Sequence, residues 1–136
     1  MLELSPAALS TAGVAVLAAV TVTSGGYFML KVVTAKVPAT PFQTSFFRAG
    51  HAHAGVFIIL GLVCLLLTEA TGLTGGWAWL ARTGVLCAAI LMPAGFFLSA
   101  VGRGRERPNR VVVLLPVGAA VLVAGLLTLG VGLLTA

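Results

Sequence analysis

Four long apolar segments are the feature that most constrains how this chain can fold. They run over residues 7–33, 50–69, 77–101 and 111–135. Each is long enough to cross the hydrocarbon core of a bilayer, which takes about 20 residues of α-helix. Within lipid, helices satisfy all their backbone hydrogen bonds internally. The pattern therefore predicts an all-α integral membrane protein, a bundle of four transmembrane helices that forms a single transmembrane domain over residues 1–136.

The composition agrees with this class. Hydrophobic residues make up 60% of the chain and charged residues 8%, whereas ordinary soluble domains carry roughly 25% charged residues. The connections KVPATPFQTSFFR, ATGLTGG and GRGRERPNR collect the Pro, Gly and polar residues that favour turns. The sequence opens with MLELSPAALS, which has an acidic residue and no basic run, and this disfavours a cleaved signal peptide. Because the four spans take up most of the 136 residues, we expect no separate soluble domain.

The basic residues predict the orientation. Seven of the eight lie in or beside the first and third connections, namely Lys31, Lys36, Arg48, Arg103, Arg105, Arg107 and Arg110. The positive-inside rule then places both connections in the cytoplasm and both termini outside a bacterial-type plasma (inner) membrane. Trp77 and Trp79 fit the outer aromatic belt. The net charge of +5 indicates contact with anionic lipid head groups and not with nucleic acid.

Small residues recur at helical spacing in several spans. The stripes are Ala8, Ala12, Ala15, Ala19 and Gly26 in the first, Gly84, Ala88, Gly95 and Ser99 in the third, and Gly118, Gly125 and Gly132 in the fourth. Such stripes let helix backbones approach closely in lipid. They exceed what one bundle needs internally, which predicts a homo-oligomer or a larger membrane complex. Pro93 and Pro116 lie inside spans and predict kinks.

The two histidines lie together in FFRAGHAHAGVFIILGL, where the second span is predicted to begin. Residues two apart on a helix point about 200° away from each other, so His51 and His53 cannot chelate one metal ion from a regular helix. They flank a stripe of small residues formed by Gly50, Ala54 and Gly61. If a helix packs on that stripe, each histidine reaches a different neighbouring helix or subunit.

Three interpretations of the histidines stay open. The pair, with Arg48 as a further member of the candidate site, can handle a proton, an ion or a solute, because the charge of histidine changes near neutral pH. One histidine can instead ligate haem or a transition metal, with Met29 or a histidine of another copy as the second ligand. The third interpretation makes them interfacial residues beside Arg48, in contact with water or lipid phosphate.

Hydroxyl groups near the glycine pair of the first span are further candidates for a solute site. In TVTSGGYF, Thr23 and Ser24 precede Gly25 and Gly26. An unwound turn lined by hydroxyls can hold an ion or substrate in a membrane protein. Alternatively, the hydroxyls bond back to carbonyls of their own helix.

The hexapeptide GHAHAG resembles the His-x-His stretches that open ligand-bearing helices in relatives of haem-copper oxidase subunit I. The resemblance covers six residues and implies a haem or metal ligand at His51 or His53. Those proteins carry further ligand histidines on other helices, whereas this chain has two histidines in all.

The acidic residues disfavour proton-coupled antiport of the kind found in small multidrug transporters. Glu3, Glu69 and Glu106 lie at helix ends or in a loop, whereas such transporters use a carboxylate deep in a span. Glu69 and Arg82 lie near the ends of consecutive spans, where we expect a structural ion pair.

The sequence carries no motif of a known enzyme class. A missing motif does not decide whether the protein is an enzyme, so enzymatic activity stays open. We expect a small, non-enzymatic polytopic membrane protein that passes a small solute or ion or serves as an accessory membrane subunit. The alternative is a membrane redox protein that binds haem or a metal.

Overall fold

Within residues 3–136, the part of the chain that the computed structural model describes, four long α-helices form. They are α1 (Pro6–Val33), α2 (Pro41–Thr68), α3 (Gly75–Ala100) and α4 (Leu114–Leu134), with a 3₁₀ turn over Arg110–Val113 directly before α4. All four helices are long and apolar enough to cross a membrane. This confirms the prediction of an all-helical chain with four helices able to span a membrane.

Consecutive helices run antiparallel, and α3 is the central one. It packs along α2 and α4, whereas α1 packs mainly on α2 and barely touches α3. The connections over residues 34–40 and 101–109 meet at one end of the molecule, called the basic end here, where Lys36, Arg103 and Arg107 are exposed. The connection between α2 and α3 lies at the opposite end.

The second helix begins at Pro41, nine residues before the start predicted at Gly50. The Thr40 hydroxyl accepts the Gln43 backbone N–H at 3.1 Å, and the Gln43 side chain accepts the Thr40 N–H at 3.1 Å. This reciprocal capping box, with Pro at the first helical position, starts a helix outside the apolar segment. His51 is therefore the eleventh of 28 residues, about 5 Å along the axis from the middle of α2.

Gln43 also ties α2 to the end of α3. Its buried side-chain amide donates to the Ala100 carbonyl at 2.9 Å and to the Gly102 carbonyl at 2.6 Å. The Asn109 amide donates to the Leu98 carbonyl at 2.9 Å. These bonds satisfy carbonyl groups that the end of a helix leaves without partners, and they hold the basic end together.

Small residues allow α3 and α4 to approach at backbone distance. A Cβ atom built on Gly84 would lie 2.9 Å from the Gly125 Cα, and one built on Gly118 would lie 2.5 Å from the Met92 Cγ. The stripes predicted on these two helices thus form a packing seam between them. The stripe on α1 behaves differently, since only Ala8 and Ala15 of its members are buried.

The two prolines predicted to kink their helices occupy different positions. Pro93 lies in the interior of α3. Pro116 is the third residue of α4 and lies in its first turn. The first turn of a helix has N–H groups without intrahelical acceptors, and a missing N–H costs little at that position.

Candidate functional site

His51 lies against α1, at its two consecutive glycines. A Cβ atom built on Gly25 would lie 3.2 Å from the His51 Nδ1, and one built on Gly26 would lie 3.5 Å from the Cε1. The absence of side chains at these positions makes room for the imidazole ring. No residue in the described range 3–136 forms a hydrogen bond with either ring nitrogen. The contact between α1 and α2 therefore contains a polar ring with unsatisfied nitrogens.

Two grooves meet at this ring. The first, called the α1–α3 groove here, has a volume of about 450 Å³ and runs from Thr11 and Thr83 to His51 and Phe97. The second has a volume of about 440 Å³ and lies on the other side of the contact between α1 and α2. His51 lines both, so both spaces converge on one imidazole.

The hydroxyl groups of the α1–α3 groove bond to their own helices. Thr11 donates to the Ala7 carbonyl at 2.8 Å, Thr21 to the Ala18 carbonyl at 2.6 Å, and Thr83 to the Trp79 carbonyl at 2.8 Å. Such bonds leave these hydroxyls with little capacity to hold a ligand. The remaining walls are largely alanine and branched aliphatic side chains. His51 is therefore the principal polar contact that the groove offers.

A cluster of aromatic rings closes the groove toward the basic end. The ring centroids of Phe28 and Phe47 are 5.1 Å apart, and those of Phe47 and Phe97 are 5.7 Å apart. Buried Met29 and Val32 pack in the same cluster. Met29 thus serves as a packing residue and lines neither groove. The structure does not bring this proposed second ligand to His51.

His53 points toward α3, where it meets Phe96, and bonds to a carbonyl of its own helix. Its Nδ1 lies 2.7 Å from the Ala49 carbonyl, and its ring packs on Phe96 and Phe57 with centroid distances of 4.9 and 5.3 Å. The two histidines therefore reach different helices, in keeping with their 200° separation. Among residues 3–136, no group of three or more His, Cys, Asp and Glu side chains could hold a metal ion.

The other predicted site residues are dispersed. Thr23 lines the second groove. Ser24 and Arg48 are exposed and line neither groove. Because α1 is continuous from Pro6 to Val33, the alternative of an unwound turn around Thr23 and Ser24 is wrong.

A second polar cluster lies at the opposite end of the bundle. Glu69 and Arg82 form a salt bridge, with 2.8 Å between Oε1 and Nη2, and the other Glu69 oxygen accepts the Ser5 backbone N–H at 2.8 Å. The hydrogen bond from Ser5 and, to a smaller extent, the Arg82 guanidinium lower the pKa of Glu69 below its ordinary value. Glu69 thereby attaches the start of α1 to α2 and α3.

Sequence reasoning missed the residues that shape the groove. Gly25 and Gly26 suggested a break in the helix, whereas they receive the His51 ring. Cys87, which lines the α1–α3 groove, suggested no role. Two adjacent glycines inside an apolar helix are a signal for close approach of another group, but they do not identify that group.

Comparison with known proteins assigns the chain to no family. No family model, curated protein or solved structure matches the chain.

Proposed function

We propose that this is a non-enzymatic, multi-pass membrane protein that holds a small solute or ion at His51 inside the bilayer. The observation that carries the proposal is the unsatisfied imidazole at the meeting point of two grooves, about 5 Å from the middle of α2. An ionisable side chain at membrane depth is costly, and such residues usually serve a function.

The closed end of the groove favours binding over free conduction. The cluster of Phe28, Phe47 and Phe97 separates His51 from the basic end. Passage of a solute across the membrane requires these rings to part, whereas binding does not. We therefore propose ligand binding at His51 as the primary event. Passage, or a role as an accessory subunit of a larger complex, follows from it.

The haem or metal alternative depends on the same free nitrogens of His51. Because His53 and Met29 are engaged elsewhere, this alternative needs a second ligand from another copy of the chain. It predicts a coloured or metal-containing oligomer, and an absorption spectrum of the purified protein tests it.

We further propose that the basic end faces the cytoplasm across a bacterial-type plasma membrane. The exposed Lys36, Arg103 and Arg107 support this orientation through the positive-inside rule. A protease, or a thiol-reactive label for a cysteine introduced at Arg103, applied from one side of sealed vesicles measures it directly.

Native mass spectrometry of the detergent-purified protein tests the proposed binding. We expect the wild-type chain to retain a non-covalent small molecule, and His51→Ala to lose it. His53→Ala is the matched control and keeps the adduct, because His53 lines neither groove. The same adducts on all three proteins, or none on any, would contradict the proposal.

A further inference from the structure

We propose that the occupant of the α1–α3 groove is a neutral amphiphile of the membrane-quinone type. Its flat, carbonyl-bearing head group contacts His51, and its single apolar tail lies between α1 and α3. This inference rests on the proposed binding at His51 and names the chemical class of the ligand.

The groove is accessible from the bilayer. Helix α1 barely touches α3, and Val14, which lines the groove between them, is 69% exposed. In a membrane this opening faces lipid tails and not water. A ligand that enters here is one that is already dissolved in the bilayer.

The dimensions of the groove fit one extended tail. Its lining on α1 extends from Thr11 to Gly25, a separation of 14 residues or about 21 Å along the helix axis. Small side chains, including Ala15, Ala18 and Ala94, form much of the wall. The volume of about 450 Å³ lies within the range of roughly 300–1,000 Å³ that is typical of small-molecule sites.

The charges around the groove indicate a neutral head group. No Lys, Arg, Asp or Glu lines it among the described residues, and the phenylalanine cluster lies between His51 and the basic end. A carboxylate or phosphate held there would have no fixed counter-charge, which is costly in an apolar environment. Neutral imidazole offers one hydrogen-bond donor and one acceptor, which suits a carbonyl or hydroxyl group.

The groups at the His51 end indicate a flat head group. The imidazole lies against the backbone at Gly25 and Gly26, and the Phe97 ring lines the same end of the groove. Aromatic faces and edges pair favourably with other planar rings. A benzoquinone or naphthoquinone ring combines this planarity with carbonyl oxygens that accept a hydrogen bond from the imidazole.

Equilibrium binding of a decyl-tailed benzoquinone to the protein in phosphatidylcholine nanodiscs tests the inference. We expect saturable binding to the wild-type chain and loss of binding in Ala18→Phe, because the new ring fills the groove. Leu17→Phe is the matched control, since Leu17 is 73% exposed and lies outside the groove lining. His51→Ala should weaken binding about three- to tenfold, the effect of one hydrogen bond, and His53→Ala should leave it unchanged.

Three results would overturn the inference. They are an absence of saturable binding, wild-type affinity in Ala18→Phe, and tighter binding of a decyl-tailed carboxylate with the same dependence on Ala18 and His51. Each leaves the proposed function standing if the adduct that depends on His51 persists in native mass spectrometry. If the adduct in native mass spectrometry does not depend on His51, that result would instead contradict the proposed function itself.

Discussion

Stripes of small residues have one effect at the contact between α3 and α4 and a different effect on α1. Both regions carry stripes of small residues at helical spacing. On α3 and α4, Gly84 meets Gly125 and the backbones touch. On α1, Gly25 and Gly26 meet the ring of His51 instead. A small-residue stripe therefore allows direct backbone contact in one region and makes room for a side chain in the other.

This difference creates the α1–α3 groove. Helix α1 is attached at one end through Ser5 and Glu69, and at the other through the cluster that contains Phe28 and Phe47. Between these attachments it stands away from α3 and leaves a space of about 450 Å³. The groove is thus a consequence of anchoring a helix at its ends.

The largest expected effect comes from removing the polar anchor of α1. Glu69→Ala leaves Arg82 without its counter-charge, and the side chains of the two residues are only 7% and 16% exposed. Breaking such a shielded pair should lower the free energy of unfolding by about 3 kcal/mol. Unfolding in mixed detergent micelles measures the loss. Glu106→Ala, at an exposed position in the basic end, is the control and should change stability by less than about 0.5 kcal/mol. Equal effects from the two substitutions would contradict the anchor.

Substitution at the close contact between α3 and α4 should have the next largest effect on the free energy of unfolding. In Gly84→Ala the new methyl group meets the Gly125 backbone at 2.9 Å, and backbone cannot move aside as a flexible side chain can. We expect a loss of about 2 kcal/mol in the free energy of unfolding. Gly130→Ala on α4 has open space around the new methyl group and should be neutral or slightly stabilising. Two neutral substitutions would mean that these helices do not pack through the glycine seam.

Acid should weaken the anchor at Glu69 in a defined direction. Because the folded pKa is lowered, the ionised carboxylate contributes its full stability above the ordinary pKa of glutamate, about 4.3. That contribution is lost as the pH falls below this value and through the folded pKa. Unfolding measured from pH 7 to pH 3 should therefore show stability decreasing only in the acidic part of the range. Glu69→Gln should remove this component, and an unchanged acid response in the variant would assign it to other groups.

Substitution in the glycine pair, Gly25 and Gly26, should have the smallest effect on stability but a large effect on retention of the ligand. In Gly25→Ala the new methyl group meets the His51 Nδ1 at 3.2 Å, so the ring shifts and the free energy of unfolding changes by less than about 1 kcal/mol. Retention of the bound small molecule in native mass spectrometry should nevertheless fall. Gly13→Ala, on the same helix, has open space around the new methyl group and lies outside both groove linings, so it should retain the ligand. Full retention in Gly25→Ala would show that the position of the ring is unimportant.

The number and class of the helices could be predicted from the sequence, whereas the start of α2 could not. Hydropathy identifies the most apolar part of a helix and not its ends. It does not detect the turns over Pro41–Arg48 that project beyond the apolar segment, where polar Gln43 and Thr44 resembled a connection. The pattern of Thr40 followed three residues later by Gln43 was the available signal for the true start.

The site was predictable in part for a related reason. The 200° separation of His51 and His53 follows from helix geometry, and it predicts that they face different neighbours. Which helix each one meets depends on contacts between distant segments. The ring of His51 meets Gly25, and that of His53 meets Phe96. No local pattern encodes these pairings, and Met29 therefore looked like a ligand although it packs among phenylalanines.

The two native cysteines offer the most direct test of the groove. Cys87 lines the space between α1 and α3, whereas Cys64 is buried with Ala81, Val85 and Leu129 where α2, α3 and α4 meet. The protein in lipid nanodiscs is treated with N-ethylmaleimide, and mass spectrometry of the peptides follows both thiols over time. We expect Cys87 to react first and Cys64 to stay protected until the protein unfolds. Equal rates, or earlier modification of Cys64, would contradict an open groove beside a closed core.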